Sequence, residues 1–189
     1  MSDKVVITDV GPRDGLQNQP RILSVEERLR LIAGIAAAGV SSIEVGSFVS
    51  PKAVPAMAGT GDIVRQLPGD SRVHYTALIP NMKGYELAHA AGARSVTMVL
   101  YASDGMARKN VNMSMAEAET VTADILARAR EDGVEVIAAI AVAFACPFDG
   151  ATDPRVVRTA AEKFLALGTE QIVIADTIGA GNPQQVRSL

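Results

Sequence analysis

The chain has 189 residues, 48% of them apolar and 21% charged, which supplies a real core for one domain and excludes a disordered chain. Its 18 Lys and Arg against 21 Asp and Glu give a net charge of -3, with no basic cluster able to neutralise a run of phosphates, so nucleic acid is not an expected partner. The longest apolar stretch, 134–148, is interrupted by Glu135, contains Pro147 and falls short of the ~20 residues a membrane span needs, so no membrane is expected either.

Met1-Ser2-Asp3-Lys4 leads into a strand-like run without a charged-then-apolar leader, and the single Cys146 has no internal disulfide partner. A reduced, cytoplasmic protein is the expectation. Six β-rich runs follow, at 5–9, 42–46, 73–79, 95–100, 134–142 and 171–175. Most are continuously apolar and not alternating, as strands covered on both faces are, so a parallel sheet is expected. Helical segments lie between them. Ser24 with Glu27 forms a capping box ahead of Val25, Leu29, Ile32 and Ile35, which share one face, and Gly39 stops that helix. Weaker helices are expected at 53–66 and 83–91, and 102–113 reads as a solvated loop or an anion-binding one. Ser114 with Glu117 repeats the capping box before Val121, Ile125 and Leu126. Asp153 and Pro154 open another helix, with Val157, Ala160, Phe164 and Leu167 facing inward before Gly168, and a last helix starts at Pro183.

The strand starts recur about every 33 residues, so eight βα units would need roughly 265, close to the ~250 of a (β/α)8 barrel. A doubly wound sheet of six strands is the rival and fits the length with nothing missing. In either architecture chemistry sits at the carboxyl ends of the strands. There the first strand is followed by Asp9-Val10-Gly11-Pro12-Arg13-Asp14-Gly15-Leu16-Gln17-Asn18, a loop of unusual length that sets Arg13 beside Asp14. Read blandly, Asp14 caps a turn and Arg13 is solvated. The second run carries Glu44 inside an apolar strand, and a buried carboxylate needs a partner, either a lysine on the helix side or Arg13 on the other. The sixth run ends at Asp176. Three acids and an arginine at strand ends point to an active site.

Other candidates are weaker. The segment Gly179-Ala180-Gly181-Asn182-Pro183-Gln184 lacks the third glycine of a dinucleotide fingerprint and reads as a helix-capping loop. His74 lies at the start of a strand and His89 within a helix, so they form no metal-ligand pair. Cys146 has no histidine near it in the pattern and reads as a buried packing residue.

The string Val10 to Asn18, with Ile43-Glu44-Val45-Gly46-Ser47-Phe48-Val49-Ser50-Pro51-Lys52 and Asp176-Thr177-Ile178-Gly179, closely resembles 3-hydroxy-3-methylglutaryl-CoA lyases. The resemblance extends through Pro80-Asn81-Met82-Lys83-Gly84, Lys109-Asn110-Val111-Asn112 and Cys146-Pro147-Phe148-Asp149-Gly150. It implies an α/β fold of the TIM (β/α)8-barrel type, incomplete here, with about six strands present and the last two βα units lacking from 1–189. It also implies cleavage of a 3-hydroxyacyl-CoA to acetyl-CoA and a keto acid, with a divalent metal, Mg2+ or Mn2+, as cofactor. Carried over residue by residue, Asp14 matches the metal-binding aspartate and Arg13 the arginine that stabilises the enolate. Glu44 and Asp176 match acidic catalytic positions, and Gln17, Ser47, Asn81 and Thr177 match the polar substrate lining. An acyl-CoA is thus the expected small-molecule partner, and a homo-oligomer is compatible with the reading.

The departures are specific. The family's His-x-His metal ligands, a ligating asparagine and a catalytic loop cysteine fall beyond Leu189, and Cys146 matches a different position. Ala138-Ala139-Ile140-Ala141-Val142 stands where familiar lyases carry a tyrosine and a serine, and Gln19-Pro20 replaces an acidic-basic pair. The expectation is therefore a lyase fragment, inactive alone. The alternatives are a Claisen-condensing acyltransferase of the same superfamily and a non-catalytic remnant that pairs its open edges with another chain.

Overall fold

Apolar runs become strands and capped amphipathic segments become the helices between them. The computed structural model describes residues 5–69 and 72–189. They form two compact units, one of residues up to Ile79 with Lys83–Val96, the other of Pro80–Met82 with Thr97–Leu189.

The first unit runs through β1 (Thr8–Asp9), a π-helical turn (Gly11–Gly15), α1 (Val25–Ala37), β2 (Ser42–Ser47), a 3-10 turn (Pro55–Met57), α2 (Thr60–Gln66), β3 (His74–Ile79), α3 (Met82–Ala90) and the start of β4 (Ser95–Tyr101). β1 pairs in parallel with β2, Thr8 opposite Ser42 and Asp9 opposite Ile43, and β2 pairs in parallel with β3. Ile43, Val45 and Ala77 pack against Ile32 of α1 and Ile63 of α2, which makes the core of this unit. The capping box forms as expected: Ser24 Oγ accepts the Glu27 N–H at 3.2 Å, and Glu27 accepts the Ser24 N–H at 2.8 Å. The start of β4 lies beside β3, so β1, β2, β3 and β4 follow one another in space as in sequence. A doubly wound sheet reverses at its first strand and would put β4 beside β1. The unreversed order is that of barrel staves, and the fold is an incomplete (β/α)8-type barrel with six strands.

Two expectations change here. The strand expected at 5–9 shrinks to Thr8–Asp9, because β2 begins only at Ser42 and leaves Val5, Val6 and Ile7 without a strand partner among the described residues, 82%, 67% and 73% exposed. The helix expected at 53–66 breaks at Gly59, whose φ of +75 sets the chain in a left-handed conformation before α2.

The second unit continues β4 and adds α4 (Asp104–Val111), α5 (Met115–Asp132), β5 (Glu135–Ala141), the two-residue strands β6 (Ala145–Cys146) and β7 (Gly150–Ala151), α6 (Pro154–Ala166), β8 (Gln171–Ile174) and α7 (Pro183–Ser188). β5 and β8 pair in parallel with Ala139 opposite Val173, and β6 and β7 close an antiparallel hairpin. Phe164 and Val157 of α6 are fully buried. The segment 102–113 is mostly helix and not loop: Ser103 caps α4 at its start, and Asn112, with φ 55, ends it. No helix of the described residues is long and apolar enough to cross a membrane.

Candidate active site

In the first unit the site starts from a single carbonyl. Val10 O accepts the N–H groups of Arg13 at 3.1 Å, Asp14 at 2.7 Å and Gly15 at 3.3 Å, and this winds the segment after β1 into a π turn. Asp9 Oδ1 accepts the Gly11 N–H at 2.8 Å, and a Cβ on residue 11 would come within 2.9 Å of that oxygen, so a larger residue there would displace the carboxylate. The turn directs Arg13 onto β2. Its Nε donates to Glu44, and its Nη1 donates to Asp14 Oδ1 at 2.9 Å. The Glu44 side chain is 5% exposed, Arg13 19% and Asp14 60%.

Of the two orientations open to Glu44, the structure takes the one facing Arg13 and not the helix side, because a carboxylate this buried is stable only when paired. Arg13 is accordingly not a solvated turn residue. With Nε and Nη1 held by carboxylates, its Nη2 group makes no hydrogen bond among the described residues. Ser47, one turn of chain further along β2, is buried, and its hydroxyl also has no partner among the described residues. Gln17 is half-buried after the π turn.

The remaining predicted residues belong to the second unit. Asp176 follows β8, and its two carboxylate oxygens accept the N–H groups of Ala180 and Gly181, each at 2.9 Å. The carboxylate organises its own turn. Thr177 Oγ1 accepts the N–H of Val142 at 2.8 Å, while Thr152 donates its hydroxyl proton to the Val142 carbonyl at 2.7 Å. Val142, fully buried at the end of β5, has φ 52, a conformation β-branched residues avoid, and the two threonines hold it there. Asn81 is exposed at the start of α3.

Cys146 is buried, as expected of a packing residue, but it also lies at 2.9 Å from Ser103 Oγ. Ser103 lies 2.5 Å from Asp149 Oδ2, which also accepts the Gly105 N–H at 2.7 Å. The Ser103 hydroxyl and the Gly105 N–H hold the Asp149 carboxyl below its ordinary range. Burial pushes the Cys146 thiol up, yet the hydrogen bonds at its sulfur, those of the Phe148 and Asp149 amides among them, outweigh it and leave the thiol lowered. This network ties α4 to the β6–β7 hairpin across 46 residues of sequence.

Among the described residues no three His, Cys, Asp or Glu side chains cluster as metal ligands would. Asp14 offers one carboxylate, already bonded to Arg13 through Oδ1. Magnesium and manganese call for several oxygen donors, so the described residues do not by themselves fit a divalent cation.

Comparison with known proteins agrees with the sequence motifs. A family model described as HMGL-like matches residues 4–189. An (R)-citramalyl-CoA lyase of Chloroflexus aurantiacus is 44% identical, the match covering 99% of this chain and 62% of the relative. A hydroxymethylglutaryl-CoA lyase of Pseudomonas mevalonii is 42% identical, over 98% of this chain and 62% of its own length. Among solved structures, an HMG-CoA lyase of A. baumannii in complex with coenzyme A and 3-methylmalate is 34% identical with a TM-score of 0.92, over 97% of this chain and 60% of that one. The chain thus spans 55% to 62% of the length of the curated relatives it matches.

Proposed function

Since the chain belongs to the HMGL-like family, we propose that the protein carrying it is a carbon–carbon lyase that cleaves a 3-hydroxyacyl-CoA, of the hydroxymethylglutaryl or citramalyl type, to acetyl-CoA and a keto acid. The observation that supports this reading best is the Arg13 guanidinium, pinned on two sides by Glu44 and Asp14 with Nη2 left over. Once a base takes the 3-hydroxyl proton, C3 becomes the keto carbonyl and cleavage of the bond between C2 and C3 leaves the electron pair on the acetyl-CoA fragment, as an enolate whose charge sits on the thioester oxygen until C2 takes up a proton. A fixed cation with an unspent N–H is what that oxygen needs, and a donor held in place in advance costs no reorganisation as charge develops. Glu44 orients Arg13, and Asp14 presents the exposed carboxylate nearest to it. Asp176 and Thr177 keep their assignments as acid and lining residue on the resemblance alone. No step is routed through a metal, because the described residues do not complete a site for one.

The test is release of acetyl-CoA from 3-hydroxy-3-methylglutaryl-CoA and from citramalyl-CoA by the protein carrying this chain, beside its Arg13→Gln and Arg13→Lys variants. Loss of one preorganised donor predicts a fall in kcat of about 10²- to 10³-fold for Arg13→Gln. Lysine restores little, having no planar fork to share between two carboxylates and an enolate. Absence of cleavage with both thioesters, or full activity in Arg13→Gln, overturns the proposal.

A further inference from the structure

We propose that Arg28 of α1 is a positioning residue for this site: through the Val45 carbonyl it fixes a bulge in β2 that turns Ser47 onto the same face as Glu44. Side chains alternate along a strand, so residues three apart normally point to opposite faces. Here the register shifts, with Glu44 opposite Thr76 but Ser47 opposite Leu78. Thr76 and Leu78 are two apart and share a face, and therefore so do Glu44 and Ser47. Val45 and Gly46 form the bulge between them, the device by which strands re-aim a side chain beside functional sites.

Arg28 is what holds that bulge. It is 1% exposed; its Nη2 donates to Val45 O at 3.2 Å and to Thr60 Oγ1 at 3.3 Å, and its Nη1 to Ala58 O at 3.0 Å. Thr60 is itself tied to Met57 O at 2.8 Å. One planar fork thus binds the β2 bulge to the segment before α2. A Cβ at Gly46 would stand 2.6 Å from both Arg28 Nη2 and Thr60 Oγ1, so the bulge residue next to Val45 is a glycine because the guanidinium lies against it. Among the described residues no carboxylate is a partner of Arg28, and desolvation lowers its pKa. For packing alone a side chain such as methionine would serve, without the desolvation of a charge. What methionine cannot supply is donors to two carbonyls at fixed angles.

The proposal rests on the lyase reading, and the experiment separates the two. Arg28→Met, Arg28→Lys and Gly46→Ala are compared with the parent by cross-strand NOEs between Glu44 and Thr76 and between Ser47 and Leu78, by thermal midpoint, and by kcat/KM for acyl-CoA cleavage. Arg28→Met is expected to keep the Glu44–Thr76 NOEs, to lose those of Ser47 with Leu78, and to lower kcat/KM by about 10- to 100-fold, the scale of a small misplacement. Arg28→Lys is expected to weaken the Ser47 NOEs less, and Gly46→Ala to reproduce the loss with Arg28 still present. Should Arg28→Met fail to fold, the other two variants carry the test. A Ser47 register unchanged in the folded variants overturns the positioning role, whatever happens to stability. A register that moves in a protein without lyase activity leaves the positioning role standing and overturns the reading of function.

Discussion

Replacing Glu44 by glutamine removes the charge facing Arg13 and leaves the shape of the side chain. Removing one member of a buried ion pair costs about 3–5 kcal/mol when both members are fully buried. Here Glu44 is nearly so, whereas Arg13 is a fifth exposed and keeps Asp14 on Nη1. Water and the second carboxylate each soften the loss, which places the expected coupling at about 2 kcal/mol. The measurement is a double-mutant cycle of Arg13→Met, Glu44→Gln and both, by urea unfolding at neutral pH. The coupling term isolates the pair from effects each substitution has elsewhere. A coupling under ~0.5 kcal/mol, the value of an ordinary surface pair, would refute the claim that Glu44 pins Arg13.

Three further changes test the packing and capping. Gly34→Ala in the exposed middle of α1, where an added Cβ meets nothing within 4 Å, should stabilise by about 0.5–1 kcal/mol in the same urea assay, and a loss would mean that the helix is strained there. Phe164→Ala empties a fully buried site on α6 and should destabilise by about 3–5 kcal/mol; a cost under ~1 kcal/mol would mean that the second unit's core lies elsewhere. The Ser114 N–H and hydroxyl hold the Glu117 carboxyl below its usual range. Its contribution is complete above the unfolded value of about 4.3 and is lost as pH falls through the lower folded value. Glu117→Gln should therefore flatten the fall of the thermal midpoint between about pH 5 and 2, and parallel curves for the two proteins would count against the capping box.

What was legible in the sequence was what short-range physics decides. Both capping boxes, the glycine stops at Gly39 and Gly168 and the apolar strands after the first follow from residues within one turn or one pleat of each other, and they form as read. The errors lie where a distant segment decides. β1 is short because of where β2 starts, 34 residues on. α4 carries too thin an apolar stripe to announce itself, and its Ser103 cap is held by Asp149, which no local pattern connects to it. Val142 gives no sign in the sequence that two threonines will hold it left-handed.

Arg28 differs from these, because its signal stands in the sequence. It lies three residues after Val25 and four before Ile32, inside the stripe that faces the sheet, and a charged residue at such a position is either an error of phase or a buried cation with work for its donors. The bulge in β2 supplies that work. The Arg-Asp string after β1 likewise marks candidate site residues but not how they are held. Glu44 can face Arg13 because β2 keeps its pleat up to residue 44, and Ser47 can share that face only because the pleat then slips by one residue. A slip of one residue reverses every side chain beyond it. The polar end of β2 therefore depends on one side chain of a neighbouring helix, and the strand's own sequence, Ser42 to Ser47, cannot specify the site without the arginine that stands behind it.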